Sequence, residues 1–566
     1  MNNKILRLLW LDLNASFAHT SLALPAIHAQ AQVKEWSESV EWDVLSATLH
    51  MPVTNIVNDI IDKKPDILAA TSWLFTAEML HAVLTRVHAL LPSCKIVMGG
   101  PEFLGDNELF LRNNSYVYAV FRGEGEESLP AWLNKLLHSS DDTKDTLTDI
   151  TGACYIDASG NYVDNGHAKV ARFQELEAPE ESPFFRTDKA FVQLETTRGC
   201  FNTCAFCTSG NDRPVRRISQ AEIKRRLEFY ANAGITHIRL LDRTFNANSK
   251  QAHEMLDLFE SYAGKLCFHL EIHPALLGDS LRQRMAKLPV GLLHLEAGIQ
   301  SLRQDVLNTS KRLGSLEDSI EGLAYLCSLD NMEVHADLIA GLPLYTLQQL
   351  KEDVRTLASL KVGEIQLELL KVLPGTEMRE RAKELGLIYS PLPPYEILAS
   401  DGMTPADLQN SKRLSRMIDM YYNAPVWQSF LQRIIVEKES FMETFVNWLT
   451  EKGVLDSPLS LEKRGLLLFE FVNLFDSRYL PAVAVCWLKA GLPVKKIPFK
   501  IFEPVSDKIL CWLSGKDLIE KEEMKWFVVR DGVHQNLLTL LGFLPQTGVS
   551  QPAIVAEYDE DVENNE

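Results

Sequence analysis

Three cysteines, Cys200, Cys204 and Cys207, fall within eight residues in the spacing C-x3-C-x2-C, and the residue before the last is aromatic, Phe206. Three thiolates on one short loop converge on one metal centre, and soft sulfur ligands select iron–sulfur clusters, zinc or Cu(I). A structural zinc needs a fourth ligand in a Cys/His set, and no second C-x2-C or paired histidine lies nearby. Cys154, Cys267 and Cys327 stand alone and read as ordinary buried thiols. Three ligands suit a cubane cluster that would accept four, leaving one iron open for chemistry. Zinc is the competing reading.

The elements around the loop fit that assignment. Val192-Gln193-Leu194-Glu195 reads as a strand, with Thr196, Thr197 and Arg198 at its C-terminal end. Parallel α/β folds bind ligands at that end. From about 186 to 395, strand candidates end at His237–Asp242, Cys267–Ile272, Leu292–Ala297, Val334–Ala340 and Glu364–Lys371, with helical stretches between them. Residues up to about 140 alternate in the same way, with strands at Leu6–Leu13, Trp42–Ala47, Ile67–Ser72, Lys95–Met98 and Tyr116–Phe121. That alternation predicts an α/β, doubly wound parallel sheet. Its strand ends carry Ser72-Trp73-Leu74, Gly99-Gly100-Pro101-Glu102 and Gly123-Glu124-Gly125-Glu126.

The cysteine loop resembles the signature of radical S-adenosylmethionine (SAM) enzymes. The order Ser-x-Leu, Gly-Gly-Pro-Glu, Gly-Glu-Gly-Glu and then cysteines resembles the subfamily that places a cobalamin-binding domain before the radical SAM domain. The resemblance implies a 4Fe–4S cluster on Cys200, Cys204 and Cys207, with SAM on the open iron. It also implies a Rossmann-like cobalamin-binding-type domain over 1–140, a connector with a β-hairpin over 141–185 and a partial (β/α)6 barrel over 186–395. By that resemblance Ser72, Gly99, Gly100 and Glu124 are candidates to meet cobalamin. Phe206, Asp242, Glu271, Gln300, Arg312 and Asp337 are candidates to meet SAM. Gln300 and Arg312 carry the twelve-residue spacing of the coproporphyrinogen-dehydrogenase-like branch, and Asp337 matches its ribose-binding aspartate. One motif departs from other cobalamin proteins: Asp12 and His19 lack the offset of a cobalt-ligating Asp-x-His-x-x-Gly. A Rossmann-like domain that has lost its cofactor is the rival for that half.

Among the histidines of the barrel half, His273 and His294 are candidate substrate acids or bases. Residues 396–556 read as a mainly helical C-terminal domain whose tryptophans and tyrosines are core, and 557–566 as an acidic disordered tail. The composition, 46% hydrophobic and 23% charged with nine cysteines, is that of a globular chain in a reducing cytoplasm. No apolar run is long enough to span a bilayer. A net charge of −19 argues against nucleic acid as the partner.

The expected activity is reductive SAM cleavage to a 5′-deoxyadenosyl radical with cobalamin-dependent methyl transfer, served by a reductant such as flavodoxin or ferredoxin. Cobalamin-dependent cyclisation, oxidation or rearrangement is the alternative, as is a non-catalytic Fe–S or cobalamin-binding regulator. The substrate, whether small molecule, peptide or lipid, is not legible.

Overall fold

The computed structural model describes residues 5–16, 20–139, 143–210, 212–516, 518, 524–543 and 551–563. His19 lies outside them. Two compact units emerge. The first comprises 1–334, 341–345 and 369–405, and the second comprises 335–340, 346–368 and 406–566.

The first unit opens with a sheet in the order β2-β1-β3-β4-β5-β6-β7. Its parallel strands are β1 (Leu6–Asn14), β2 (Val40–Thr48), β3 (Ile67–Thr71), β4 (Lys95–Gly99) and β5 (Val117–Phe121). Helices α1 (Ala23–Gln32), α2 (Val53–Lys63), α3 (Ala77–Leu90), α4 (Glu108–Asn113) and α5 (Gly125–His138) alternate with them. Successive β1 side chains point to opposite faces. Leu9, Leu11 and Leu13 join one core with Ile56 and Leu84, while Leu8 and Trp10 join another with Leu24 and Trp132. Covering on both faces explains why Ile67–Thr71 is wholly buried. An antiparallel hairpin follows, β6 (Ala153–Ile156) with β7 (Tyr162–Asp164), turning at Gly160.

The segment linking hairpin and barrel is strapped to α1, where the side-chain amide of Gln30 donates to the Glu177 carbonyl at 2.9 Å and its oxygen accepts the Glu177 N–H at 3.1 Å. Next come β8 (Val192–Leu194), the short ribbon of β9 (Thr197–Arg198) with β10 (Arg216–Arg217), then α6 (Gln220–Asn232), β11 (His237–Leu240) and α7 (Ser249–Glu260). They lead to β12 (Cys267–Ile272), α8 (Asp279–Met285), β13 (Leu293–Gln300), α9 (Gln304–Thr309) and α10 (Leu316–Cys327). Strands β8, β11, β12 and β13 pair in parallel, in chain order. Along β13, Leu293, Leu295, Ala297 and Ile299 are buried while His294, Glu296, Gly298 and Gln300 occupy the other, partly open face. One face of these strands is thus apolar and the other carries the chemistry.

Strands β14 (Glu333–Ala340) and β15 (Glu364–Leu369), with α11 (Leu347–Ser359) between them, group mainly with the second unit. The alternation of six strands with helices from β8 to β15 is the chain order of a (β/α)6 barrel. Helices α12 (Glu377–Glu380), α13 (Pro405–Met417), α14 (Pro425–Glu437), α15 (Phe441–Glu451), α16 (Leu461–Phe475) and α17 (Leu480–Lys489) follow, with the strand pair β16 (Ile388–Tyr389) and β17 (Ile397–Ala399) after α12. Trp427, Tyr421, Phe441 and Trp487 are fully buried, so these aromatics are core.

The far C-terminal region departs from expectation. Strands β18 (Phe502–Glu503), β19 (Lys525–Arg530), β20 (Leu537–Phe543) and β21 (Ile554–Asp559) form an antiparallel sheet, with α18 (Asp507–Gly515) packed on it through Ile509 and Leu513. The expected disordered tail from 557 is corrected. Glu557–Asp559 pair with Leu537–Thr539, and Tyr558 is buried against α18, so backbone pairing and one aromatic side chain outweigh the local negative charge.

Candidate functional site

The three cysteines share a tight loop after β9. The Cys200 N–H donates to the Asp212 carbonyl at 3.1 Å, and the Cys207 N–H donates to Cys204 at 3.1 Å. Backbone N–H groups of Asn202 and Ser209 donate to the sulfurs of Cys200 and Cys207, both at 3.4 Å. Burial pushes the thiols of Cys204 and Cys207 up. Arg312 and Arg243 respectively pull them back, and the neighbouring cysteines push each up further. Thiolate–thiolate repulsion of this kind, beside N–H donors and a guanidinium, is what a bound cation relieves. Phe206 sits partly exposed between Ala205 and Cys207.

Arg312 arches over this loop. Its Nη1 donates to Cys204 Sγ at 3.6 Å, and its Nη2 donates to the Gly298 carbonyl at the end of β13. A Cβ at Gly298 would lie 2.8 Å from Gln300 Nε2 and 3.4 Å from Arg312 Nη2. Gly298 is therefore the floor on which Gln300 and Arg312 meet. Gln300 itself has φ +71°, a left-handed backbone that non-glycine residues adopt at a cost and mostly at functional sites.

Glu271 ends β12 directly opposite Glu296 of β13. Burial pushes its carboxyl up to about 7, against the pull of Arg243, whose guanidinium is 3.8 Å away. His269 Nε2 lies 2.9 Å from Glu296 Oε2, and the His269 and His294 rings stack at 4.6 Å. Asp337 lies on β14, in the second unit, on the same partly exposed alternation as His335.

Two expected contacts have other work. Asp242 is buried. Its Oδ1 accepts the N–H groups of Thr196 and Thr197 at 2.8 and 2.9 Å, and its Oδ2 accepts the Thr196 hydroxyl. It anchors the strand end that enters the cysteine loop. Glu124, expected at cobalamin, has both oxygens on Arg216, at 2.5 and 2.8 Å.

His273, a candidate acid or base, also has a partner within the chain. Burial, then the Arg312 charge, pushes its imidazole down to about 4, so it is neutral near pH 7. Its Nε2 lies 2.9 Å from the Leu313 carbonyl, which only a protonated Nε2 can satisfy, and this tethers the turn that carries Arg312.

In the N-terminal domain, Ser72, Gly99 and Gly100 come together at the ends of β3 and β4. The Ser72 N–H donates to the Gly99 carbonyl at 2.8 Å. Gly100 has φ +107°, and a Cβ there would lie 2.7 Å from the Ser72 carbonyl oxygen. This bare backbone sits beside the strand-order reversal between β1 and β3, where open α/β sheets bind ligands.

The stretch around Pro374-Gly375, which the spacing did not mark, touches both regions. Backbone meets backbone where a Cβ at Gly375 would lie 2.8 Å from the Leu104 carbonyl carbon, and one at Gly105 would lie 3.0 Å from Gly375 N. Three residues on, the Met378 N–H donates to the Ala205 carbonyl at 2.8 Å, inside the cysteine loop. Close approach by glycine is the only sequence signal this contact left.

Comparison with known proteins follows these lines. Residues 194–357 match the family model "Radical SAM superfamily", residues 13–133 "B12 binding domain", and residues 383–483 "Protein of unknown function (DUF4080)". The chain is 21% identical over 363 residues to the cobalamin-dependent radical SAM methyltransferase TokK of Streptomyces tokunonensis, covering 59% of this chain and 51% of TokK. It thus spans about half the length of that relative. It is 23% identical over 342 residues to the uncharacterized methyltransferase PH0819 of Pyrococcus horikoshii, covering 56% of this chain and 69% of that one.

In fold it is similar to the cobalamin-dependent SAM radical enzyme OxsB with aqua-cobalamin and SAM bound, with a TM-score of 0.59 and 16% identity over 92% of this chain and 82% of OxsB. It is also similar to the radical SAM methyltransferase TsrM of Kitasatospora setae, with a TM-score of 0.53 and 16% identity over 71% of this chain and 81% of TsrM. A radical SAM domain implies a 4Fe–4S cluster and SAM, and a B12-binding domain implies cobalamin. The clustered thiols and the bare strand-end backbone fit those groups.

Proposed function

We propose that this chain, a radical SAM protein with a B12-binding domain, is an enzyme that reductively cleaves SAM and transfers a methyl group through cobalamin to an unactivated centre. The observation that carries the reading is Arg312, which reaches Cys204 of the three-cysteine loop and meets Gln300 over Gly298. When bound, the cluster with SAM supplies a 5′-deoxyadenosyl radical, and cobalamin supplies the methyl carrier.

The chain's own groups bind and orient. The sulfurs of Cys200, Cys204 and Cys207 would hold the cluster. Arg312, already on Cys204, offers a cation to the carboxylate of the methionyl end, with Gln300 beside it over Gly298, and Glu271 is a further candidate for that end. Ser72, Gly99 and Gly100 let the corrinoid approach the sheet's carboxyl end. Methyl transfer is favoured over other radical outcomes because TokK, PH0819 and TsrM are all described as methyltransferases.

The test is anaerobic reconstitution with iron, sulfide and cobalamin, followed by reduction and mass spectrometry with SAM. The reading expects methionine and 5′-deoxyadenosine from the wild type. Cys204→Ala should fall to background, a loss of at least about 100-fold. Zinc in place of iron and sulfide, or intact SAM after reduction, overturns it.

A further inference from the structure

The cysteine loop hangs from the β9–β10 ribbon, in which Arg198 lies directly across from Arg216. Two guanidiniums in register on neighbouring strands repel, and a carboxylate from another domain sits between them. Glu124 Oε1 is 2.5 Å from Arg216 Nη2, and its Oε2 is 2.8 Å from Arg216 Nη1 and 3.4 Å from Arg198 Nη1. Oε2 also accepts the Val170 N–H at 2.6 Å. Glu126 takes Arg198 Nη2 at 2.8 Å, and Glu195 takes Arg198 through both oxygens at 2.8 and 2.7 Å.

The Phe173 ring lies 4.7 Å from the Arg198 guanidinium carbon. The side chains of Arg198, Glu124 and Arg216 are only 17%, 15% and 11% exposed, so water screens the network weakly. Burial pushes the Glu124 carboxyl up, but Arg216 and Arg198 outweigh it and hold it below its usual value.

Resting on the function proposed above, we propose that Glu124 serves the cluster and not the corrinoid: it is a positioning residue that, as shared counter-ion of Arg198 and Arg216, fixes the two ends of the cysteine loop. Arg198 is two residues before Cys200, and the other end of the loop is held where Asp212 accepts the Cys200 N–H. Removing the Glu124 charge leaves Arg198 on Glu126 and Glu195 and Arg216 on Asp212 at 3.3 Å, so the two strands lose the one carboxylate they share and the strain falls on the residues between them.

Full-length wild type, Glu124→Gln, Glu124→Asp and Arg198→Lys are reconstituted in parallel. Three readouts are taken: release of iron to a chelator, the electron paramagnetic resonance spectrum of the reduced cluster with and without SAM, and cobalamin affinity by absorbance titration. Glu124→Gln is expected to release iron about 10-fold faster, the low end for groups that orient metal ligands. Its spectrum broadens, and its cobalamin affinity stays within about two-fold of wild type. Glu124→Asp, which restores the charge, recovers the wild-type spectrum in part. Arg198→Lys, which keeps a charge but not the fork, reproduces the Gln phenotype if Glu124→Gln fails to fold.

Cobalamin affinity lost with iron release and spectrum unchanged overturns the proposal, as does a Gln variant identical to wild type in all three. A wild type that holds neither iron nor cobalamin overturns the functional reading instead.

Discussion

Gly298 carries no side chain, yet two side chains depend on that. A methyl group there would displace Gln300 Nε2 and press on Arg312 Nη2, and the Arg312 guanidinium reaches Cys204. Gly298→Ala is expected to lower 5′-deoxyadenosine formation about 100-fold, the scale of an ångström-sized misplacement. Its cluster content and melting temperature should remain near wild type, as read by iron assay and calorimetry. Single residues were legible in the sequence where spacing alone defines them: three cysteines on one loop need no knowledge of the rest of the chain. Asp242 and Glu124 were not, because a carboxylate at a strand end meets whichever donor the fold brings. Here those donors lie 45 or 46 and 92 residues away. The tether of His273 was hidden for the same reason, since its partner at Leu313 is 40 residues downstream.

At the scale of elements, one contact pins the linker to the barrel. Arg226 of α6 and Glu180 are 5% and 2% exposed, with Arg226 Nη2 2.8 Å from Glu180 Oε1, and Tyr230 donates to the same carboxylate. Arg226→Ala leaves that carboxylate buried without its counter-ion and is expected to cost about 3–5 kcal/mol. Urea unfolding measures it. Arg226→Met with Glu180→Met should recover most of the loss, because the pair together contributes far less than a broken half. The α/β elements were readable because their burial alternates: Cys267–Ile272 and Leu293–Gln300 switch residue by residue between closed and open faces. The final sheet escaped because its central strand is covered on both faces. Leu538, Leu540 and Leu541 of β20 are all buried, which erases period-two alternation and imitates a buried helix.

Across the whole molecule, the two cofactor regions of the first unit are joined by backbone contacts from Gly375 to Met378. Binding at one should therefore bias the other, and linkage requires the effect to be reciprocal. Saturating cobalamin is expected to raise the wild type's equilibrium affinity for iron by about 5-fold or more, and cluster reconstitution to tighten cobalamin by the same factor. Paired chelator and absorbance titrations check both directions; unequal equilibrium factors, or none, would count against coupling. Pro374-Gly375 and Met378 also impose an order on biosynthesis. The glycine turns and cysteine loop leave the ribosome long before the segment that braces them, so a nascent chain carries its thiols unbraced until that late stretch arrives. Metal delivery that runs ahead of translation would meet a half-built nest, and insertion is best timed after release.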